Sequence, residues 1–192
     1  MIRTAKLWQL MCSWYSRTNP PSKLQKLTVE MLRQQGKGPK LRTKAGECKY
    51  LIPFCAEIIH QFKGVSLHLE TVANAMDLLR DMYDMIDMEP YPAVQVAEIC
   101  HQFSLLYAAL HAEAVHQGRD LYWVIKPKFH LMIELLEIDC VRDGQSPRRF
   151  WTYLDESWGG ELANIAIRRG GPKRADSLAE NIIQRYRAWV SR

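Results

Sequence analysis

The chain has no apolar run approaching the roughly 20 residues that a membrane span needs, so no membrane is expected among its partners. Its first fifteen residues mix Arg3, Lys6 and Trp8 with apolar side chains and lack an apolar core followed by a small-residue cleavage site. That argues against a secretory signal and for an intracellular protein, with the nucleus among the compartments open to it. Cysteine is sparse and odd in number: Cys12, Cys48, Cys55, Cys100 and Cys140 are scattered and form no C-x-x-C. Zinc sites need close ligand pairs, so a zinc ribbon or a disulfide scaffold is excluded, and buried free thiols are expected. There is no H-E-x-x-H, no G-x-S-x-G, no P-loop and no G-x-G-x-x-G after a strand. Zincins, α/β-hydrolases, P-loop NTPases and dinucleotide-binding folds go with them. Internal repeats and long low-complexity segments are also missing.

What remains is helical. The 192 residues, 47% of them hydrophobic and 24% charged, suffice for one sizeable core. Apolar residues recur at steps of three and four over Leu7 to Tyr15, Lys23 to Gln35 (with Ser22 as N-cap), Ala45 to Phe62, Leu67 to Ile86 and Ala93 to Gln117. Pro127 opens another helix through Ile138, and two more are expected after Trp158 and after Ser177. Leu121 to Ile125 is a short β-prone piece. The expected fold class is all-α, a multi-helix bundle of about seven to nine helices with few or no strands. The Gly36-Lys37-Gly38-Pro39-Lys40 stretch is the best linker, which divides the chain into a basic N-terminal helical arm and linker, 1–44, and a helical domain, 45–192.

The net charge of +5 conceals a segregation. Residues 1–50 carry eleven Lys/Arg against two Glu, a net of +9. Residues 51–143 carry six against fourteen acids, and residues 144–192 nine against five, for −8 and +4. Such blocks point to self-association, as a homo-oligomer or within a larger complex, to contact with DNA or another polyanion, or to neutralisation of the ends by the middle within one fold. The cations in exposed, Gly/Pro-broken or helix-flanking positions are the candidates for phosphate contact: Lys37, Lys40, Arg42, Lys44, Lys126, Lys128, Arg148, Arg149, Arg168 and Arg169.

Three further groups bear on chemistry. Lys126, Lys128 and His130 flank a helix start, where amides and ammonium groups can hold a phosphate, although solvated lysines beside an N1 proline are the commoner arrangement. Asp77, Asp81, Asp84 and Asp87 share one helix face without a His at ligand spacing, which reads as a solvated face. Asp155-Glu156 follows the aromatic run Phe150-Trp151-Thr152-Tyr153. Adjacent residues on a helix point about 100° apart, so this pair alone makes no two-metal site. Mg²⁺ is expected only if further acids converge on Glu156. Trp151 is expected to be buried against Leu131 and Leu135.

The order Lys126-Pro127-Lys128-x-His130, an apolar helix, a Pro-containing loop, then Phe150-Trp151-x-Tyr153-x-x-Glu156 and Gly160 resembles the C-terminal part of eukaryotic cut-and-paste transposases of the CACTA-like and hAT-like groups. There a helical insertion precedes the last acid of an RNase H-like DDE core. The resemblance implies that Glu156 corresponds to that last metal-binding carboxylate, and that the helices from about Leu51 to Gly118 correspond to the insertion. The chain departs from the pattern with Glu134 in place of a second His and Asp155 in place of an aromatic, and strands bearing the first two aspartates are missing. A mobile-element remnant with nucleic-acid binding and no independent catalysis is therefore expected. The competing expectation is a helical protein–protein interaction module.

Overall fold

A computed structural model of the chain describes residues 2–33, 38–150 and 183–184. The described residues are helical, with no strand among them, and the fold class is all-α. With the run from Pro127 to Asp143 taken as one, they hold six helices, slightly fewer than the seven to nine expected. Two compact units divide the chain, Met1–Arg149 and Phe150–Arg192. All but Phe150, Ile183 and Gln184 of the second unit lies outside the described residues, and with it Trp151, Glu156, Gly160, Arg168, Arg169 and the two helices expected there. The 44/45 boundary read from the sequence falls inside the first unit.

Helix α1, Ile2–Thr18, extends beyond the expected Leu7–Tyr15 at both ends, and its stripe of Leu7, Trp8, Met11, Trp14 and Tyr15 packs in one cluster. Met11, Trp14 and Tyr15 are buried together with Leu24 and with Leu51 and Phe54 of α3, Ala45–His60. Each such side chain contributes about 1.5–3 kcal/mol by leaving water, and this shared cluster fastens the basic arm onto α3. The helix expected from Lys23 to Gln35 is reduced to one turn, α2, Val29–Leu32. The reason lies in contacts with other segments. Leu24 is drawn into the α1 cluster, where Tyr15 Oη accepts its N–H at 3.0 Å, and the Met31 and Leu32 carbonyls accept from Arg42 and Lys40 instead of from a further helical turn. Ser22 caps nothing; Thr28 precedes the single turn.

Helix α3 runs on through Pro53, and Glu47 Oε2 accepts the Lys44 N–H at 3.0 Å to close its first turn. Helix α4, Leu67–Ile86, begins at Ser66, whose hydroxyl accepts the Leu69 N–H at 3.2 Å. It packs against α3 and against α5, Ala93–His116, by way of Ala73, Ala75, Met82 and Ile86 on its side and Val96, Cys100, Phe103 and Leu110 on α5. At the far end of α4 the Ser146 hydroxyl donates to the Ile86 carbonyl at 2.9 Å and accepts from the Arg148 N–H, satisfying one of the carbonyls a helix end leaves open.

The stretch Leu121–Val124 is a turn and not a strand. It leads to α6, Pro127–Ile133, which passes through a π turn, Glu134–Asp139, into α7, Cys140–Asp143. The widened turn faces α5 and buries Leu136 there. A 3₁₀ turn, Pro147–Phe150, follows.

Candidate nucleic-acid interface

An extended segment, residues 38–44, carries Lys40, Arg42 and Lys44, all exposed. It is fixed from below by backbone bonds from Lys40 N–H to the Leu32 carbonyl at 3.1 Å and from Arg42 N–H to the Met31 carbonyl at 2.9 Å. Leu41 between them packs on the α1/α3 cluster. The alternation of an extended chain thus turns one side chain into the core and its neighbours to solvent. Where the segment begins, Gly38 meets the turn at Leu121 so closely that a β-carbon there would collide with the Leu121 carbonyl oxygen. Only glycine permits that approach.

The approach brings the basic segment against an aromatic cluster. Tyr107 of α5 stands edge-on to Trp123 at 5.6 Å between centroids and tilts over Phe129 of α6 at 4.8 Å. Its hydroxyl donates to the Val124 carbonyl at 3.3 Å. Trp123 itself has φ +52°, a left-handed backbone that a large residue adopts only when its surroundings hold it there. His68 of α4 meets the same ring edge-on at 6.5 Å, and its Nδ1 lies 2.7 Å from Glu113 Oε2. The hydrogen bond from His68 holds the Glu113 carboxyl below its ordinary range. Tyr107, Tyr122, Trp123 and His68, with Leu69 and Val72, wall a cleft of about 730 Å³ that Lys40 and Lys126 also line.

Among the described residues, Lys40 and Lys126 share this cleft, and Lys40, Arg42 and Lys44 share a shallower basic depression with Glu47. Lys128 is exposed one turn-step beyond Lys126, and His130 is exposed too. Arg148 and Arg149 are exposed elsewhere: Arg148 lies 3.8 Å from Asp87 at the C-terminal end of α4, whereas His68 and Leu69 sit at its N-terminal end. Twenty helical residues separate the two ends by about 30 Å, so these arginines belong to a different surface. Lys37, Arg168, Arg169 and Glu156 lie outside the described residues. From the sequence, Tyr107 belongs to the apolar stripe of the long helix and Tyr122 and Trp123 to the β-prone piece, and neither these nor His68 carries a site role. The signal for them was present in Tyr122-Trp123 set between Gly118 and Lys126.

The aspartate face of α4 is more engaged than its spacing suggests. Asp77 is 2.7 Å from His60 Nε2 of α3 and 3.1 Å from Arg80; Asp81 also pairs with Arg80, and Asp87 with Lys49 at 3.0 Å. Between α5 and the π turn, Cys100 and Cys140 are buried, and burial, then the Glu137 carboxylate, push the Cys100 thiol up to about 11. Such thiols are poor nucleophiles and poor ligands at neutral pH. No group of three His, Cys, Asp or Glu side chains suited to a metal ion occurs among the described residues. No helix among them is long and apolar enough to cross a membrane. Comparison of the chain with protein-family models, with curated proteins and with solved structures yields no match.

Proposed function

We propose that the chain derives from the C-terminal region of a DDE-type transposase and acts as a nucleic-acid-binding protein without strand-cleaving activity of its own. The observation that carries the binding half of this reading is the meeting of Lys40 and Lys126, 86 positions apart in sequence, at one aromatic-walled cleft. Lys40, Arg42, Lys44, Lys126 and Lys128 are exposed, and among the described residues none forms a salt bridge with a carboxylate. A surface of uncompensated cations fits a polyanion. The ancestry half rests on the Lys126-Pro127-Lys128-x-His130 and Phe150-to-Glu156 motifs.

Five phosphate contacts give a log–log salt slope of about −3.5 to −4.5 for the observed affinity. Replacing Lys40, Arg42, Lys44 and Lys126 together by Gln should flatten that slope by about 3 and weaken binding across unrelated sequences. A filter-binding titration with an unchanged slope would remove the role of these residues. Incubation of DNA with the chain and Mg²⁺ or Mn²⁺ tests the other half. Cleavage that disappears in Glu156→Gln would return the chain to the enzymes.

A second reading, a helical protein–protein interaction module, is favoured by Val65 and Leu67, 70% and 81% exposed at the α3–α4 connection. Association through such apolar contacts should persist at salt concentrations that abolish phosphate binding.

A further inference from the structure

We propose that the cleft at Trp123 takes an unpaired base of single-stranded DNA, with the neighbouring phosphates on Lys40 and Lys126. The inference rests on the nucleic-acid reading above and specifies its ligand. A purely electrostatic surface needs cations alone, yet here the two lysines border aromatic walls. Bases in a duplex are stacked on one another and offer this cleft only their backbone, whereas an unpaired base exposes a π face that stacks on an aromatic side chain.

Two polar atoms of the wall are engaged. His68 Nδ1 is held by Glu113, and the Tyr107 hydroxyl donates to the Val124 carbonyl. Three of the lining side chains, Tyr107, Tyr122 and Trp123, are aromatic, so recognition rests chiefly on ring faces and phosphates. That predicts little sequence preference and no preference for RNA. Glu113, the acid that holds His68, also accepts from Gln117 Nε2 and does not itself line the cleft. The cleft, about 730 Å³, lies within the range of about 300–1,000 Å³ usual for small-molecule-sized sites. The left-handed backbone at Trp123 fits the same purpose, since strain of this kind persists where the surroundings fix a side chain in place.

The test uses the full chain and fluorescence anisotropy with a labelled 12-nucleotide DNA of mixed sequence, its duplex, and the RNA of the same sequence. Single strands should bind about 10-fold tighter than the duplex, and Trp123→Ala should weaken single-strand binding by about 5- to 100-fold and duplex binding by far less. Trp123→Phe keeps an aromatic face and guards against a folding defect. It should retain most of the affinity but lose most of the tryptophan-fluorescence quenching that single-stranded DNA produces in the parent chain. Equal affinity for single strand and duplex, both indifferent to Trp123→Ala, would overturn the inference and leave the basic-surface reading standing. Tighter binding of the RNA would overturn the assignment to DNA. No binding of any nucleic acid by the parent chain would overturn the functional reading itself.

Discussion

Replacing Trp14 by Ala should be the most costly single change among the residues that attach the basic arm. The ring is only 6% exposed and lies 5.8 Å from Tyr15 and 5.7 Å from Phe54. A buried aromatic removes about 150–250 Å² from water, which at about 25 cal/mol per Å² amounts to about 4–6 kcal/mol. Alanine keeps the β-carbon and the neighbours relax partly, so a loss of about 3–5 kcal/mol is expected. For a chain of this size each kcal/mol moves the midpoint by about 2–4 °C, which gives a fall in Tm of about 6–20 °C. Differential scanning calorimetry should place this shift in the transition of the Met1–Arg149 unit. Trp8, at the edge of the same cluster, serves as the control and should cost less on truncation. Because Leu41 packs on this cluster, Trp14→Ala should also weaken nucleic-acid binding near its midpoint, as the segment bearing Lys40, Arg42 and Lys44 loosens. A Tm shift below about 3 °C, outside that range, would refute the attachment of α1 to α3 through this ring.

Ser146→Ala strands the Ile86 carbonyl and should cost about 1–3 kcal/mol in a urea titration, with an unchanged m-value. Gly38→Ala leaves every charge in place but drives the basic segment away from Leu121; it should lower nucleic-acid affinity without changing the number of cations, and unaltered affinity would show that the close approach is immaterial. Thiol titration at pH 8 should label the exposed Cys48 in the native protein, while Cys100 and Cys140 should react only on unfolding; prompt labelling of Cys100 would contradict its burial and its thiol pushed up to about 11.

The long helices were legible because their own residues decide them. Leu67–Ile86 matches its apolar stripe end to end, and Ala93–His116 ends one residue before the expected Gln117. The failures lie where a distant group decides. The stripe of Leu24, Leu27, Met31 and Leu32 has helical spacing, but Leu24 is buried against α1, the Met31 and Leu32 carbonyls accept from Arg42 and Lys40, and only one turn survives. The π turn at Glu134–Asp139 carries no signature that periodicity can detect, since it is set by how α5 receives Leu136. At the cleft, the lysines were visible as isolated cations and Leu121-Tyr122-Trp123-Val124 as a β-prone run. That they form one wall depends on the contact at Gly38, which a pattern along the chain does not contain.

That contact also bears on the segregated charge. If the basic first fifty residues served only to neutralise the acidic middle, their cations should be spent on its carboxylates. Some are: Arg17 reaches Glu57 at 2.6 Å, and Lys49 reaches Asp87. Both project toward the acidic segment from helices packed in the same unit. Lys40, Arg42 and Lys44 sit on the extended segment between α2 and α3, whose alternation sends Leu41 inward and the three charges outward; among the described residues Glu47 shares their depression, its carboxylate turned to the Lys44 N–H. Exposed ion pairs contribute little in any case, about 0–1 kcal/mol each, so stability does not explain holding these cations apart from the acids. Clustering them costs mutual repulsion that an anion would relieve. The basic block therefore does two separable jobs, internal pairing through Arg17 and Lys49 and an outward-facing charge surface through Lys40, Arg42 and Lys44. It is the second that continues across Gly38 to Lys126 and the aromatic cleft.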